Sequence, residues 1–217
     1  MMLAPNLKRA AQARQVKGDT PGVFMQILDD GTNLAVWQRR LPAHISDFAT
    51  MVLAMDQSLA ESRVLELPED DTQPALQGLA AGFSDLQGYE GFIADVSWLV
   101  SAFACLLGAQ RVGLRLRTLD KAMCPRFHVD HVPVRLLTTY AGVGSQWLEE
   151  GVMDRRRLSE PEAEPSDPCV IQQFRCGDVG LLKGEKWHGN EGLGLIHRSP
   201  EPAPGERRLI LTLDWLA

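Results

Sequence analysis

The hydrophobic period changes near residue 111, and this change constrains the fold more than any other feature. Upstream, apolar residues recur at the spacing of a helix face: Ile45, Phe48, Met51, Val52, Met55 and Leu59. Downstream, RVGLRLRTL alternates polar and apolar residues, and the short runs CVIQQF, DVGLLKG, GLGLIHRS and RRLILTLDWL are separated by Gly, Pro and acidic residues. Helices followed by strands predict an α+β domain, with helices packed on one face of an antiparallel β-sandwich or barrel.

The length of 217 residues suits one domain with a full core. Residues 1–20 are polar and basic, so we expect a loose arm, followed by a single domain over residues 21–217. Within that domain, residues 21–110 form a hairpin and helical part and residues 111–217 a β-barrel part. The Asp30–Gly31 pair predicts a β-hairpin over residues 23–40, and a second helical region is predicted over residues 76–107.

Charge and cysteine content narrow the class of protein. The net charge of -6 argues against a nucleic-acid partner, which leaves a small molecule or a protein as substrate. Four cysteines without a CxxC pair, and no recognisable secretory signal, lead us to expect reduced thiols and a cytoplasmic location. The most apolar segment, residues 92–108, contains Asp95 and is predicted to be a buried helix rather than a membrane span.

The stretch FHVDHVPVRLLTTYAG, Phe127 to Gly142, places two potential metal ligands directly before an apolar strand. Residues i and i+2 of a strand point to the same face, so His128 and Asp130 are predicted to point together and His131 away. His-x-Asp pairs also occur by chance, and the alternative is a hydrogen-bonded pair where the chain enters the strand.

Two histidines and one carboxylate on one face bind non-haem Fe(II) and leave coordination positions open. The third ligand is predicted to be His197, with His188 as the competing residue. Arg207 follows His197 by ten positions (207 − 197 = 10) and opens an apolar strand. A guanidinium can bind a carboxylate through two hydrogen bonds, so Arg207 would hold the far end of a metal-chelated 2-oxo acid.

The alternation of the last strand favours Arg207 over Arg208 for this role. Arg207 shares its face with Leu209, Leu211 and Leu213, which predicts that this face is the barrel interior.

Other sites receive less support from the sequence. A structural zinc site at Cys169 and Cys176, completed by Cys124 or His188, would need tighter cysteine spacing than the six residues between the pair. No G-x-S-x-G elbow or GxxxxGK[ST] phosphate loop is present. The acidic, Pro-rich segment SEPEAEPSDP, Ser159 to Pro168, is expected to be a mobile loop.

Together, His128, Asp130, His197 and Arg207 resemble the double-stranded β-helix oxygenases that depend on Fe(II) and 2-oxoglutarate. The resemblance covers about half of the chain, residues 111–215, and implies a cupin-like jelly-roll and a dioxygenase that hydroxylates or demethylates an unidentified substrate. It also implies catalytic roles for the three ligands and co-substrate contacts from Tyr140 and Arg135. The segment TTYAGVGSQWL is shorter than its counterpart in these oxygenases, so it departs from their pattern in the region that would make side contacts to the co-substrate.

The segment HVDHVPVRLLTTYAGVGSQWLEE with the later HRSP is also similar to a bacterial family, the domain of unknown function 1826, over most of the chain. Members are often found beside genes for zinc homeostasis. This similarity implies a second hypothesis, a zinc-binding accessory protein of bacterial zinc homeostasis without catalysis. The sequence names neither the substrate nor the oligomeric state.

Overall fold

The computed structural model describes residues 13–67, 74–158 and 160–216. Within them, ten strands follow one another along the chain: β1 (Arg14–Gly18), β2 (Thr32–Trp37), β3 (Ala60–Glu66), β4 (Arg111–Leu119), β5 (Val134–Ala141), β6 (Gln146–Leu148), β7 (Ile171–Gln173), β8 (Val179–Lys183), β9 (His197–Arg198) and β10 (Arg208–Leu216). Seven of them form a principal sheet in the order β1-β2-β8-β5-β10-β4-β3, and three form a minor sheet in the order β7-β6-β9. Apart from the parallel pair β1–β2, neighbouring strands are antiparallel.

Two α-helices pack on one face of the principal sheet, α1 (Ala43–Ala54) and α2 (Tyr89–Leu107). Five 3-10 helices, Pro21–Leu28, Ala81–Phe83, Arg155–Arg157, Pro161–Ala163 and Pro168–Val170, complete the helical elements of the described residues. Gly88 directly precedes α2 with a φ of 91° and lies against the backbone of His44, so a side chain there would clash. The mixed architecture with a large, mostly antiparallel sheet agrees with the α+β prediction.

The principal sheet has two different faces. On the helix face, Leu209, Leu211 and Leu213 of β10 join the main hydrophobic core with the helices. On the opposite face, a smaller apolar cluster joins the two sheets and contains Leu34, Val36, Leu137, Trp147, Phe174, Leu182 and Leu195. The space between the two sheets also contains polar side chains, among them His128, Arg135 and His197. The candidate site lies there.

The N-terminal region differs from the sequence-based prediction in two respects. Pro21–Leu28 is a 3-10 helix rather than the first strand of a hairpin, although the predicted Asp30–Gly31 turn does lead into β2. Arg14–Gly18, which we assigned to a loose arm, forms β1 and pairs in parallel with β2. Residues 1–12 of the expected arm lie outside the described residues. An Asp-Gly turn predicts a chain reversal, but it does not determine the structure on either side.

Among the described residues, α2 is the one helix whose length and composition would allow it to span a membrane. One of its faces is nevertheless buried in the main core, through Phe92, Val96, Leu99, Val100 and Phe103. The core helices of proteins pass the same test of length and composition, and this packing agrees with the predicted buried helix.

Candidate metal centre

The structure brings His128, Asp130 and His197 together between the two sheets. Backbone hydrogen bonds join the two histidines reciprocally, from His128 N–H to His197 O (3.0 Å) and from His197 N–H to His128 O (2.9 Å). Their ring centroids lie 4.5 Å apart, and one ligand atom from each of the three residues lies within 4.8 Å of the others. This is the one such group of potential ligands in the part of the chain that the structure describes.

The hydrogen bonds of the imidazoles orient both rings toward Asp130. His128 Nδ1 lies 2.9 Å from Arg126 O, and His197 Nδ1 lies 3.0 Å from Leu195 O. A carbonyl oxygen only accepts, so each Nδ1 must carry the proton. The Nε2 atoms lie 3.8 Å (His128) and 3.3 Å (His197) from Asp130 carboxylate oxygens. Such Nδ1–H bonds to carbonyls are typical of metal-binding histidines.

The charges around the cluster favour the protonation states that bind a metal. Burial would raise the pKa of Asp130, but the hydrogen bond from the imidazolium form of His197, whose Nε2 is then protonated, and the positive charge of Arg135 hold it well below its usual range. Burial, together with the charge of His197, lowers the pKa of His128. An ionised carboxylate and a neutral imidazole are the forms that coordinate a divalent cation.

Arg135 connects the cluster to a network of carboxylates. Its Nη1 donates to Asp130 Oδ2 at 2.8 Å, while Nε and Nη2 donate to Asp214 at 2.6 and 3.0 Å. Arg115 also donates to Asp214, at 2.8 Å. Burial would lower the pKa of Arg135, but the hydrogen bond with Asp214 and the charge of Asp130 raise it. Arg135 therefore engages two acids, and Asp130 Oδ1 is the carboxylate oxygen of the cluster without a guanidinium partner.

A cavity of about 70 Å³ adjoins the cluster, and its lining includes His128, Arg135 and His197. Arg208 is fully buried beside it. Its guanidinium donates to the hydroxyls of Ser145 (2.9 Å), Thr139 (3.2 Å) and Ser199 (3.4 Å), and Ser145 and Ser199 also line the cavity.

The charge of Arg208 is not neutralised by any acid of the described residues, and its Nε has no hydrogen-bond partner there. Burial lowers the pKa of Arg208 to about 10, which leaves the side chain cationic at neutral pH. A buried cation without an anion is unfavourable, so this position favours an anionic ligand.

Arg207 lies on the other side of the sheet, and its predicted position inside the barrel is wrong. Its guanidinium donates to the carbonyl oxygens of Leu53 (3.3 Å), Met55 (2.7 Å) and Gln57 (3.4 Å), and to Thr118 Oγ1 (3.0 Å). All of its guanidinium contacts therefore join the end of α1 and the loop after it to β4.

The physical reason is that the leucine face of β10 is the one covered by helices. The opposite face carries Ile210 and Thr212, which line the cavity, and Asp214, which binds Arg135. Arg208 is on this polar face, because successive residues of a strand point in opposite directions.

Tyr140 was expected to contact the co-substrate, and this expectation is also wrong. Its ring is fully buried in the helix-side core, 4.8 Å from the ring of Phe92. Its hydroxyl donates to Asp95 Oδ2 at 2.6 Å, and Asp95 accepts two further hydrogen bonds from Arg39. Alternation along β5 directs Leu137 to the cavity and Tyr140 to the helices.

Tyr140→Phe is accordingly expected to reduce stability and to leave the candidate site unaffected. The substitution removes one hydrogen bond to the largely buried Asp95 carboxylate, which should lower the free energy of unfolding by about 1.5–3 kcal/mol. Urea denaturation measures this change. A loss of 2-oxoglutarate binding that exceeded the loss of stability would contradict the assignment of Tyr140 to the helix-side core.

The remaining sequence candidates do not join the cluster. His188 and His131 are both exposed. The cysteines are free, and no group of potential ligands within residues 13–67, 74–158 and 160–216 contains one. Sequence reasoning missed the roles of Arg208 and Asp214, although both belong to the polar face of β10 that alternation separates from the leucine face.

The family described as Protein of unknown function (DUF1826) matches residues 18–214. The chain belongs to the DUF1826 family. This match confirms the family resemblance of the sequence, and it assigns no activity to DUF1826. No curated protein matches the chain significantly.

Solved structures with a fold similar to that of the DUF1826 chain include a bsmA homolog and two enzymes. A bsmA homolog from Methylobium petroleophilum PM1 has a TM-score of 0.50 at 12% identity and covers 89% of this chain and 91% of its own. A Pseudomonas putida prolyl-4-hydroxylase has a TM-score of 0.44 at 12% identity, covering 89% and 96%. A dioxygenase for auxin oxidation in rice has a TM-score of 0.42 at 13% identity, covering 85% and 74%. At these identities the similarity concerns the fold alone.

Proposed function

We propose that this DUF1826 protein is a mononuclear non-haem Fe(II) and 2-oxoglutarate-dependent oxygenase on a double-stranded β-helix. The observation that carries the proposal is that a group of potential metal ligands and a buried cation lie together between the two sheets. Two histidines and a carboxylate converge there, and the buried Arg208 guanidinium, without an acidic partner in the described residues, lies beside the same cavity. Hydroxylation or demethylation of a small molecule or protein is the proposed reaction class.

His128 and His197 would bind the metal through Nε2, and Asp130 through Oδ1. Their Nδ1–H bonds to Arg126 O and Leu195 O hold the rings in that orientation. Arg135 would position Asp130, because it binds Oδ2 and leaves Oδ1 without a guanidinium partner and facing His128 Nε2. Three ligands on one face would leave coordination positions open, and Fe(II) held by these residues would supply the activation of O2.

Arg208 would bind the far carboxylate of 2-oxoglutarate, the role that the sequence analysis assigned to Arg207. The hydroxyls of Thr139, Ser145 and Ser199 fix the guanidinium and are themselves available to a carboxylate. Leu137 and Ile210 add apolar walls to the cavity and reduce the access of water. A charge-assisted hydrogen bond is stronger in such surroundings than in bulk solvent.

Zinc is the alternative metal, because the same His-Asp-His set also suits Zn²⁺ with an open position. An accessory protein that only stores or transfers zinc would have the same three ligands. It would leave the buried charge of Arg208 without a function, and this difference favours the oxygenase.

Iron-dependent turnover is the expected result of the deciding experiment. The protein is purified anaerobically, loaded with Fe(II) or Zn²⁺, and supplied with 2-oxoglutarate and O2 while succinate is measured. Succinate formation with iron and none with zinc is expected. Tight zinc binding without turnover under any of these conditions would favour the accessory role instead.

A further inference from the structure

A second arginine, Arg117 on β4, lies on the cavity side of the principal sheet. Successive residues of a strand alternate between faces, so Arg117 shares its face with Leu119, which lines the cavity. Its cross-strand neighbour on β10 is Ile210, another lining residue, and Leu119 is paired in the same way with Arg208. Arg117 is therefore next to the candidate site and on its side of the principal sheet.

The guanidinium of Arg117 has little to bind in the described part of the chain. Its one hydrogen bond there is a long contact of 3.4 Å from Nη2 to Ser62 Oγ. Its Nε is buried and has no hydrogen-bond partner among the described residues. A half-buried guanidinium in this situation retains most of its capacity to bind an anion.

The two other arginines on this face of β4 are already paired. Arg115 donates to Asp214 at 2.8 Å, and Arg111 donates to Glu66 at 3.2 Å. Among the three arginines on this face of β4, Arg117 alone has no carboxylate partner in the described residues, and it is also the one nearest to the cavity along the strand.

The neighbouring strand leaves Arg117 open to a ligand. β3 forms the edge of the principal sheet beside β4, and the minor sheet contains no strand that pairs with it. On the face that Arg117 shares, Ser62 and Val64 of β3 are exposed, and Val64 has 55% of its surface accessible. As far as the described residues are concerned, a molecule can therefore approach Arg117 from solvent across the β3–β4 edge.

We propose that Arg117 binds an anionic group of the substrate and thereby selects small molecules that carry a carboxylate or a phosphate. The anionic end would lie on Arg117 at the β3–β4 edge, and the rest of the molecule would extend past Ile210 toward the cavity. The planar guanidinium presents two parallel N–H donors, which match two oxygens of either group. The assignment of the anion to a substrate rests on the proposed function, whereas the anion site itself does not.

Calorimetric titration of the metal-free protein with inorganic phosphate, and separately with acetate, tests this inference. Arg117→Gln is expected to weaken binding of the preferred anion at least about tenfold, the loss of one charge-assisted contact. Arg111→Gln is the matched control, since it removes the same charge from the same face of the same strand, and it should leave the affinity nearly unchanged. The anion that binds more tightly identifies the group as phosphate or carboxylate.

Three results would overturn the inference: no binding of either anion to the native protein, equal losses in the two variants, or binding that is lost in Arg208→Gln but kept in Arg117→Gln. Arg117→Lys provides the answer if Arg117→Gln does not fold, because lysine keeps the charge and loses the two-point geometry. These titrations need neither iron nor 2-oxoglutarate. A failure to form succinate would therefore contradict the proposed function and not the anion site. A failure to bind either anion would contradict the anion site and not the proposed function.

Discussion

Arg208→Gln is expected to weaken 2-oxoglutarate binding by about 2–5 kcal/mol, or roughly 30-fold to several thousandfold in affinity. The guanidinium is fully buried, held by the hydroxyls of Thr139, Ser145 and Ser199, and has no acidic partner among the described residues. Removing it would leave the far carboxylate of the co-substrate buried without a counter-charge. Calorimetry on the anaerobic, manganese-loaded protein measures the affinity without turnover.

The neighbouring arginine supplies the control for this measurement. Arg207→Gln removes a guanidinium that binds backbone carbonyls on the opposite side of the sheet, so 2-oxoglutarate affinity should change by no more than about twofold. The free energy of unfolding should behave in the opposite way: Arg207→Gln should reduce it, and Arg208→Gln, which removes an uncompensated buried charge, should leave it unchanged or raise it. Similar effects of both substitutions on affinity would contradict the assignment.

Arg208, and not Arg207, lies beside the cavity, and this difference shows what alternation on a strand can predict. The sequence of β10 separates a leucine face from a face with Arg208, Thr212 and Asp214, and the structure has these two faces. The sequence of β10 does not say which of the two faces the helices cover. We took the leucine face for the interior of a barrel, although a continuous apolar face is what two helices need for packing, and a site that binds ions needs the polar one.

The candidate ligands could be predicted to different degrees. The i, i+2 spacing of His128 and Asp130 is local, and their ligand atoms do lie in one group, although neither residue belongs to one of the ten strands and strand alternation therefore does not explain it. His197 approaches His128 through a backbone pairing between segments 69 positions apart (197 − 128 = 69), which no local pattern encodes. The exclusion of His188 follows only from its exposed position in the structure.

The N-terminal region and the acidic segment illustrate a second limit. β1 exists because it pairs with β2, and nothing within Arg14–Gly18 alone signals a strand. In the segment that we expected to be mobile, Glu164 is largely buried, accepts a hydrogen bond from Phe127 N–H and forms an ion pair with Arg198, while Ser159 lies outside the described residues. The proline-rich, acidic composition led us to predict a mobile loop, but it did not reveal this attachment close to His128 and His197.

His197→Ala is expected to lower the affinity for Fe(II), or for Zn²⁺ as a stable substitute, by about a hundredfold or more. Structural zinc sites bind with about 10–16 kcal/mol from four ligands, so one ligand contributes roughly 3 kcal/mol. His197 is 5% exposed, and the bond from its Nδ1–H to Leu195 O orients Nε2 toward Asp130, so the substitution removes a ligand that is already in place. Competition with a chromophoric chelator measures the affinity.

Two further variants make this result specific to the metal site. His188→Ala removes the exposed histidine that competed for the third position, and it should leave the affinity unchanged. Asp130→Asn keeps the shape of the side chain and removes its charge, so it should weaken metal binding strongly. This variant decides the matter if His197→Ala disturbs the backbone pairing with His128. Loss of metal in His188→Ala, or retention in both His197→Ala and Asp130→Asn, would exclude the His128, Asp130 and His197 centre. Retention of metal together with loss of 2-oxoglutarate binding in Arg208→Gln would show that the metal and the co-substrate are held by separate groups of the same cavity.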